Sequence, residues 1–114
     1  ETIDYIKKAK SPYNVNQLTQ TVGEIVYEYP KVIDQNVQQI LLNKEELINQ
    51  LTAFDVIDTK TNFILIKDQN AAETHKRLME NGVLVRKIMG EYLRVTVGSC
   101  EENQIFIEML REGI

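Results

Sequence analysis

The chain has 114 residues, 43% of them hydrophobic and 26% charged, which fits one ordinary globular domain able to bury roughly two-thirds of the surface its unfolded form exposes. A net charge of −4 weighs against nucleic acid as a partner, and no apolar run is long enough to cross a bilayer. The lone Cys100 excludes an internal disulfide and fits a reducing, cytoplasmic setting.

The segment Glu1 to Lys10 is short and polar and reads as the tail of an earlier helix, so the chain is expected to be a piece of something longer. Ser11-Pro12 stops that helix, because proline disfavours helix at the residue before it. Asn14-Val-Asn16 is a helix start, since Asn side chains accept from the free N–H groups of a first turn. Leu18, Val22, Ile25, Val26 and Tyr29 then recur at spacings of three and four along one helix face. Pro30 either ends this helix or opens the next at its first turn. A second series, Ile33, Val37, Ile40, Leu41, Leu47, Ile48, Leu51 and Phe54, predicts one long helix with a disturbance near Asn43.

After Asp55 the period changes. A short strand is expected over Phe54–Ile57 and a stronger one over Asn62–Lys67. Asp68-Gln-Asn70 caps a helix from Ala71 to Glu80 with Leu78 and Met79 inward, and Asn81-Gly82 closes it. Val83–Ile88 and Tyr92–Val97 are strands joined at Met89-Gly90 into a hairpin. Ser99 and Glu102 form a capping box ahead of a last helix that buries Ile105, Phe106, Met109 and Leu110. The order implies an α+β fold, an antiparallel sheet with helices packed mainly on one face, preceded by a long connecting helix. The other sheet face is left wet or rests on another domain.

Few residues here can carry chemistry. His75 lies in a polar helical run and reads as solvated surface, and Cys100 as a small residue in a tight turn. One His and one Cys give no zinc site of the usual spacing, and no glycine pattern resembles a phosphate loop. Two arginines stand out. Arg94 alternates with Tyr92 and Thr96 on a strand whose other face carries Leu93, Val95 and Val97. A guanidinium is a planar fork that can grip carboxylate or phosphate through two parallel hydrogen bonds. Arg86 lies on the neighbouring strand with Leu84 and Ile88. Two readings stand: the pair meets one anion, or the arginines point to opposite faces and each finds water or its own carboxylate.

The phrases Ser11-Pro-Tyr-Asn-Val-Asn16, Thr61-Asn-Phe63, Asn81-Gly-Val-Leu-Val-Arg86 and Leu93-Arg-Val-Thr-Val-Gly98, the last followed by Glu101-Glu-Asn103, occur in this order over almost the whole chain. Together they resemble the C-terminal part of the histidinol-phosphate aminotransferases, pyridoxal-phosphate (PLP) enzymes of the aspartate-aminotransferase fold. The resemblance implies a connecting segment and helix from a large domain over residues 1–30, and over 31–114 the C-terminal small domain of a fold-type I PLP enzyme. It implies that Arg94 holds the substrate's anionic group and that Arg86 helps recognise phosphate. Asn62 is a candidate support of the cleft, and Tyr13 and Asn14 would sit where the connecting segment meets the small domain. The PLP lysine and the Asp for the pyridine nitrogen would precede Glu1, so this chain alone is expected to bind no PLP and to contain no catalytic residue and no metal. The implied partners are its own large domain, a small phosphate or carboxylate substrate and a second copy of the intact enzyme. Other aminotransferases and decarboxylases of this fold share much of the vocabulary, and a stand-alone small-anion-binding regulatory module is the alternative of another class.

Overall fold

The computed structural model describes residues 2–9 and 15–112, the side chains of residues 6–9 excepted. It comprises two compact units, Glu1–Asp34 and Gln35–Ile114. The first holds α1 (Thr2–Ala9), α2 (Gln17–Tyr27) and the opening turn of α3 (Pro30–Gln50). Asn16 caps α2, its Oδ1 accepting from the Thr19 N–H at 2.8 Å. Pro30 opens α3 where its missing N–H has no intrahelical partner to lose. No residue of α2 is buried, and its stripe of Leu18, Val22, Ile25 and Val26 is exposed.

Asn43 does not disturb α3, which runs unbroken to Gln50. A mid-helix Asn weakens a helix by offering its side chain to nearby backbone. Here that side chain is committed elsewhere: its amide donates to the Gly98 carbonyl at 3.0 Å, and its Oδ1 accepts from Gln39 at 2.8 Å.

In the second unit β1 (Asp55–Asp58), β2 (Phe63–Lys67), β3 (Arg86–Ile88) and β4 (Tyr92–Thr96) form one antiparallel sheet in the order β1-β2-β4-β3. Helices α4 (Ala71–Glu80) and α5 (Cys100–Arg111) complete it. Ile64, Ile66, Leu93 and Val95 alternate onto one sheet face and join Leu47 of α3, Leu78 of α4, and Phe106, Ile107 and Leu110 of α5 in the core. This is the α+β arrangement with helices on one face that the pattern implies.

The structure departs from the expected pattern at several points. The third strand starts at Arg86 rather than Val83, because the Val83 N–H closes α4 instead, donating to the Leu78 carbonyl at 2.8 Å. With the Gly82 N–H on Met79 at 3.1 Å and Gly82 at φ 79°, this is a Schellman closure, and it draws the chain off the ladder. Met79 is 50% exposed, since Leu78 takes the core-facing direction about 100° away around α4. Ile105 is 52% exposed while Ile107 is buried. Asn103 sets that rotation: its Oδ1 accepts from the Gly98 N–H at 2.9 Å, which puts Asn103, Phe106, Ile107 and Leu110 on the inner face. The capping box is formed, with the Ser99 N–H on Glu102 at 2.8 Å and the Glu102 N–H on Ser99 at 3.2 Å. The first strand spans Asp55–Asp58, one residue later than expected. Asn70 makes no side-chain cap bond to α4; Asp68 turns the chain instead, accepting from the Asn70 N–H at 2.8 Å.

A buried lysine holds the β1–β2 connection. The ammonium of Lys44 on α3 donates to the carbonyls of Thr59 and Thr61, the latter at 3.0 Å, and pairs with Asp58 at 2.5 Å. A buried ammonium is costly unless hydrogen-bonded and paired, so this loop is tied to α3 by the cost of releasing it. The Lys44 ammonium beside Asp58 in turn holds that carboxyl below its ordinary range. A depressed carboxyl stabilises the fold fully above the ordinary carboxylate range and loses that contribution as pH falls through its lowered folded value.

Two outcomes are expected. Leu93→Ala, which empties a fully buried site between sheet and helices, lowers unfolding free energy by about 2–5 kcal/mol in urea titrations. Asp58→Asn lowers stability at neutral pH. Its unfolding midpoint converges on that of the parent as pH drops through the acid range, because Asp58 of the parent is then neutral in the folded state as well as the unfolded one.

Candidate functional site

Period two sends the strand residues not used in the core to the opposite face. These are Asp55 and Ile57 of β1, Phe63, Leu65 and Lys67 of β2, Tyr92, Arg94 and Thr96 of β4, and Arg86 and Ile88 of β3. Directly paired residues of an antiparallel ladder point to the same side, with Cα atoms about 4.5–5.5 Å apart. Arg94 is paired with Leu65 on one side and with Arg86 on the other. The two arginines therefore stand abreast on one face, and the reading that sends them to opposite faces is excluded. Their register is set at the hairpin turn, where Met89 and Gly90 take φ of 47° and 76°. Two successive left-handed residues suit the twist of a tight hairpin.

Like charges directly opposite one another destabilise a sheet. Among the described residues no carboxylate pairs with Arg86 or Arg94. The ion pairs seen there join Lys44 to Asp58, Lys67 to Glu91 at 3.6 Å, and Lys76 to Glu80 at 3.8 Å. The Arg94 guanidinium lies over the Phe63 ring, 4.9 Å from its centroid. Its Nε is buried without a hydrogen-bond partner, alone in this among the side-chain atoms of the described residues. Arg86 is exposed. Such a face offers two permanently charged forks to an anion, and a carboxylate or a phosphate would relieve their mutual repulsion.

Of the other expected site residues, Asn62 is exposed and acts through its backbone, its carbonyl accepting from the Val97 N–H at 2.9 Å to fasten β2 to β4. Tyr13 and Asn14 lie outside the described residues. His75 is half-buried on α4, and Cys100 is exposed with its thiol against Asn43 Oδ1 at 3.5 Å. Sequence reading missed Phe63 as a platform, although the same alternation that faces Arg94 outward also faces Phe63 outward. It also missed Lys44, which lies midway between Leu41 and Leu47 in the apolar series of α3.

The Lys44 ammonium is taken up by two carbonyls and Asp58, and Lys67 and Lys76 are paired at the surface. A groove of about 620 Å³ between Phe54, Lys67, Lys76 and Arg77 contains neither Arg86 nor Arg94. The Arg77 guanidinium there is spent on the carbonyls of Met109 and Leu110 near the end of α5.

Comparison with known proteins gives a consistent picture. The family described as aminotransferase class I and II matches residues 1–110. The histidinol-phosphate aminotransferase of Clostridium kluyveri is 41% identical over 95% of this chain and 33% of its own length. Histidinol-phosphate aminotransferase 1 of Carboxydothermus hydrogenoformans is 37% identical over 97% of this chain and 34% of its own. The chain thus spans about a third of the length of these relatives. The crystal structure of the histidinol-phosphate aminotransferase from Clostridium acetobutylicum shares the fold, with a TM-score of 0.76 at 17% identity over 95% of this chain and 36% of that one.

Proposed function

We propose, since the chain belongs to the aminotransferase class I and II family, that residues 31–114 are the substrate-closing small domain of a histidinol-phosphate aminotransferase. Residues 1–30 connect it to a large domain. In this reading the intact enzyme is a cytoplasmic homodimer that moves an amino group between glutamate and imidazole acetol phosphate with PLP. PLP, when bound by the large domain, supplies the electron sink.

The observation that carries the reading is the Arg86–Arg94 pair, abreast on the open sheet face with no carboxylate to neutralise it among the described residues. One substrate of this reaction presents carboxylates and the other a phosphate. A guanidinium fork orients either through two parallel bonds, where a point-charge ammonium would orient neither. Arg94, mid-strand between two neighbours, grips the anionic group of the substrate; Arg86, nearer the edge, adds recognition of phosphate. Holding the reactant by its anionic end fixes the direction of its reacting bond, a proximity effect.

The test is kinetic, in the full-length protein with glutamate and imidazole acetol phosphate. Losing a charged hydrogen bond costs about 1.5–3 kcal/mol, so Arg94→Ala is expected to lower kcat/KM at least about tenfold. Arg86→Ala should act mainly on the phosphate-bearing substrate. An unchanged kcat/KM in Arg94→Ala removes that residue from the site, and a full-length protein that moves no amino group between these substrates overturns the reaction assigned.

A further inference from the structure

The aromatic ring beneath the central arginine is the second half of the anion site. We infer that Phe63 is a positioning residue: its ring sets the plane of the Arg94 guanidinium and shields Nε, so that only the two terminal nitrogens are offered to the anionic end of the substrate. This rests on the reading that Arg94 holds that end.

Three observations place it. The ring and the guanidinium are 4.9 Å apart, within the range of an attractive cation–π contact. Phe63 pairs with Thr96, two residues along β4 from Arg94, and is thus the diagonal neighbour that a long side chain can reach across a ladder. The buried Nε has no hydrogen-bond partner, although burying a donor unsatisfied is costly. A π face over the guanidinium accounts for both: it excludes water from Nε and returns electrostatic attraction for the hydration lost.

The platform is itself held. The Phe63 carbonyl accepts from the Thr59 hydroxyl, the preceding carbonyl of Asn62 accepts from Val97 at 2.9 Å, and Lys44 anchors Thr59 and Thr61 to α3. The ring position is therefore inherited from the core. A flexible arginine loses rotamer freedom when it binds an anion, and a prior constraint reduces that loss. Such a constraint tightens binding without touching the reacting atoms, so its signature is a change in KM with kcat nearly kept.

The experiment compares Phe63→Leu, Phe63→Met, Phe63→Tyr, Arg94→Ala and the Phe63→Leu/Arg94→Ala double variant in the full-length protein, with imidazole acetol phosphate as the varied substrate. Removing the ring should raise KM about three- to tenfold with kcat within about twofold, the size of a partly desolvated cation–π contact. Phe63→Tyr, which keeps the ring, should match the parent. The double variant should be no weaker than Arg94→Ala alone, since the platform then has nothing to hold. If Phe63→Leu does not fold, Phe63→Met and Phe63→Tyr carry the same comparison. Ring-free variants with parental KM, or effects of the two positions that simply multiply, overturn the role of Phe63 while leaving Arg94 in place. A parental kcat/KM in Arg94→Ala overturns the underlying reading instead.

Discussion

One constraint fixes everything that follows: the register of β4 against a core that lies on a single side. Leu93 and Val95 are buried under the helices, and Arg94 between them must face away. A slip of one residue would put a guanidinium under α4 and α5 and turn two apolar side chains out to the open face. The hydrophobic cost of that exchange, together with the desolvation of a charge, leaves the strand one acceptable alignment. The turn at Met89 and Gly90 then brings Arg86 into line with Arg94 rather than beside Leu93 or Val95. The placement of the two arginines abreast is thus a by-product of core packing plus one turn geometry, and needs no dedicated loop.

The charge arrangement extends the same logic. Acids outnumber bases in this chain, 17 to 13, so a random surface would give two adjacent arginines carboxylate neighbours. Instead the ion pairs among the described residues lie at the start of the β1–β2 connection, between β2 and the hairpin turn, and along α4. Repulsion between the arginines is left standing in the described residues, with its natural relief an incoming anion. The buried, partnerless Nε of Arg94 is a second tension of the same kind at the same place. Both features fall on one spot of the open face, where the Phe63 ring offsets part of the second.

Much of this could be read from the residues alone. Strand alternation, the capping box at Ser99 and Glu102, and the Asn81-Gly82 closure are local signals with local causes, and each appears as expected. The alternation also named the face of Arg94. What could not be read were the positions where a distant partner decides. Asn43 reads as a flaw in an apolar helix and Lys44 gives no signal at all; their partners are 55 and 15 residues away in sequence. Ile105 and Ile107 fit the helical period about equally well, and the rotation that separates them comes from Asn103 on the Gly98 N–H. Val83 to Val85 have the composition of a strand, but the Schellman closure of α4 claims the Val83 N–H first. Whether Arg86 faced with or against Arg94 was open for the same reason, since register depends on which residue the turn skips.

Polar residues buried on the helical side also bear on the open face. Lys44 and Asn43 are adjacent on α3 and reach different parts of the sheet: one holds the loop entering β2, the other the turn leaving β4. Those two segments carry Phe63 and Val97, and they are tied to each other by the Val97 N–H on the Asn62 carbonyl. A binding side chain is only as well placed as the residues that support it, and a constellation held on strands is more exact than one held on loops. In this chain the support is a pair of adjacent polar side chains facing the core, which costs desolvation and returns position. An apolar pair at 43 and 44 could not fasten both segments, since neither side chain would donate to the carbonyls of Gly98, Thr59 and Thr61.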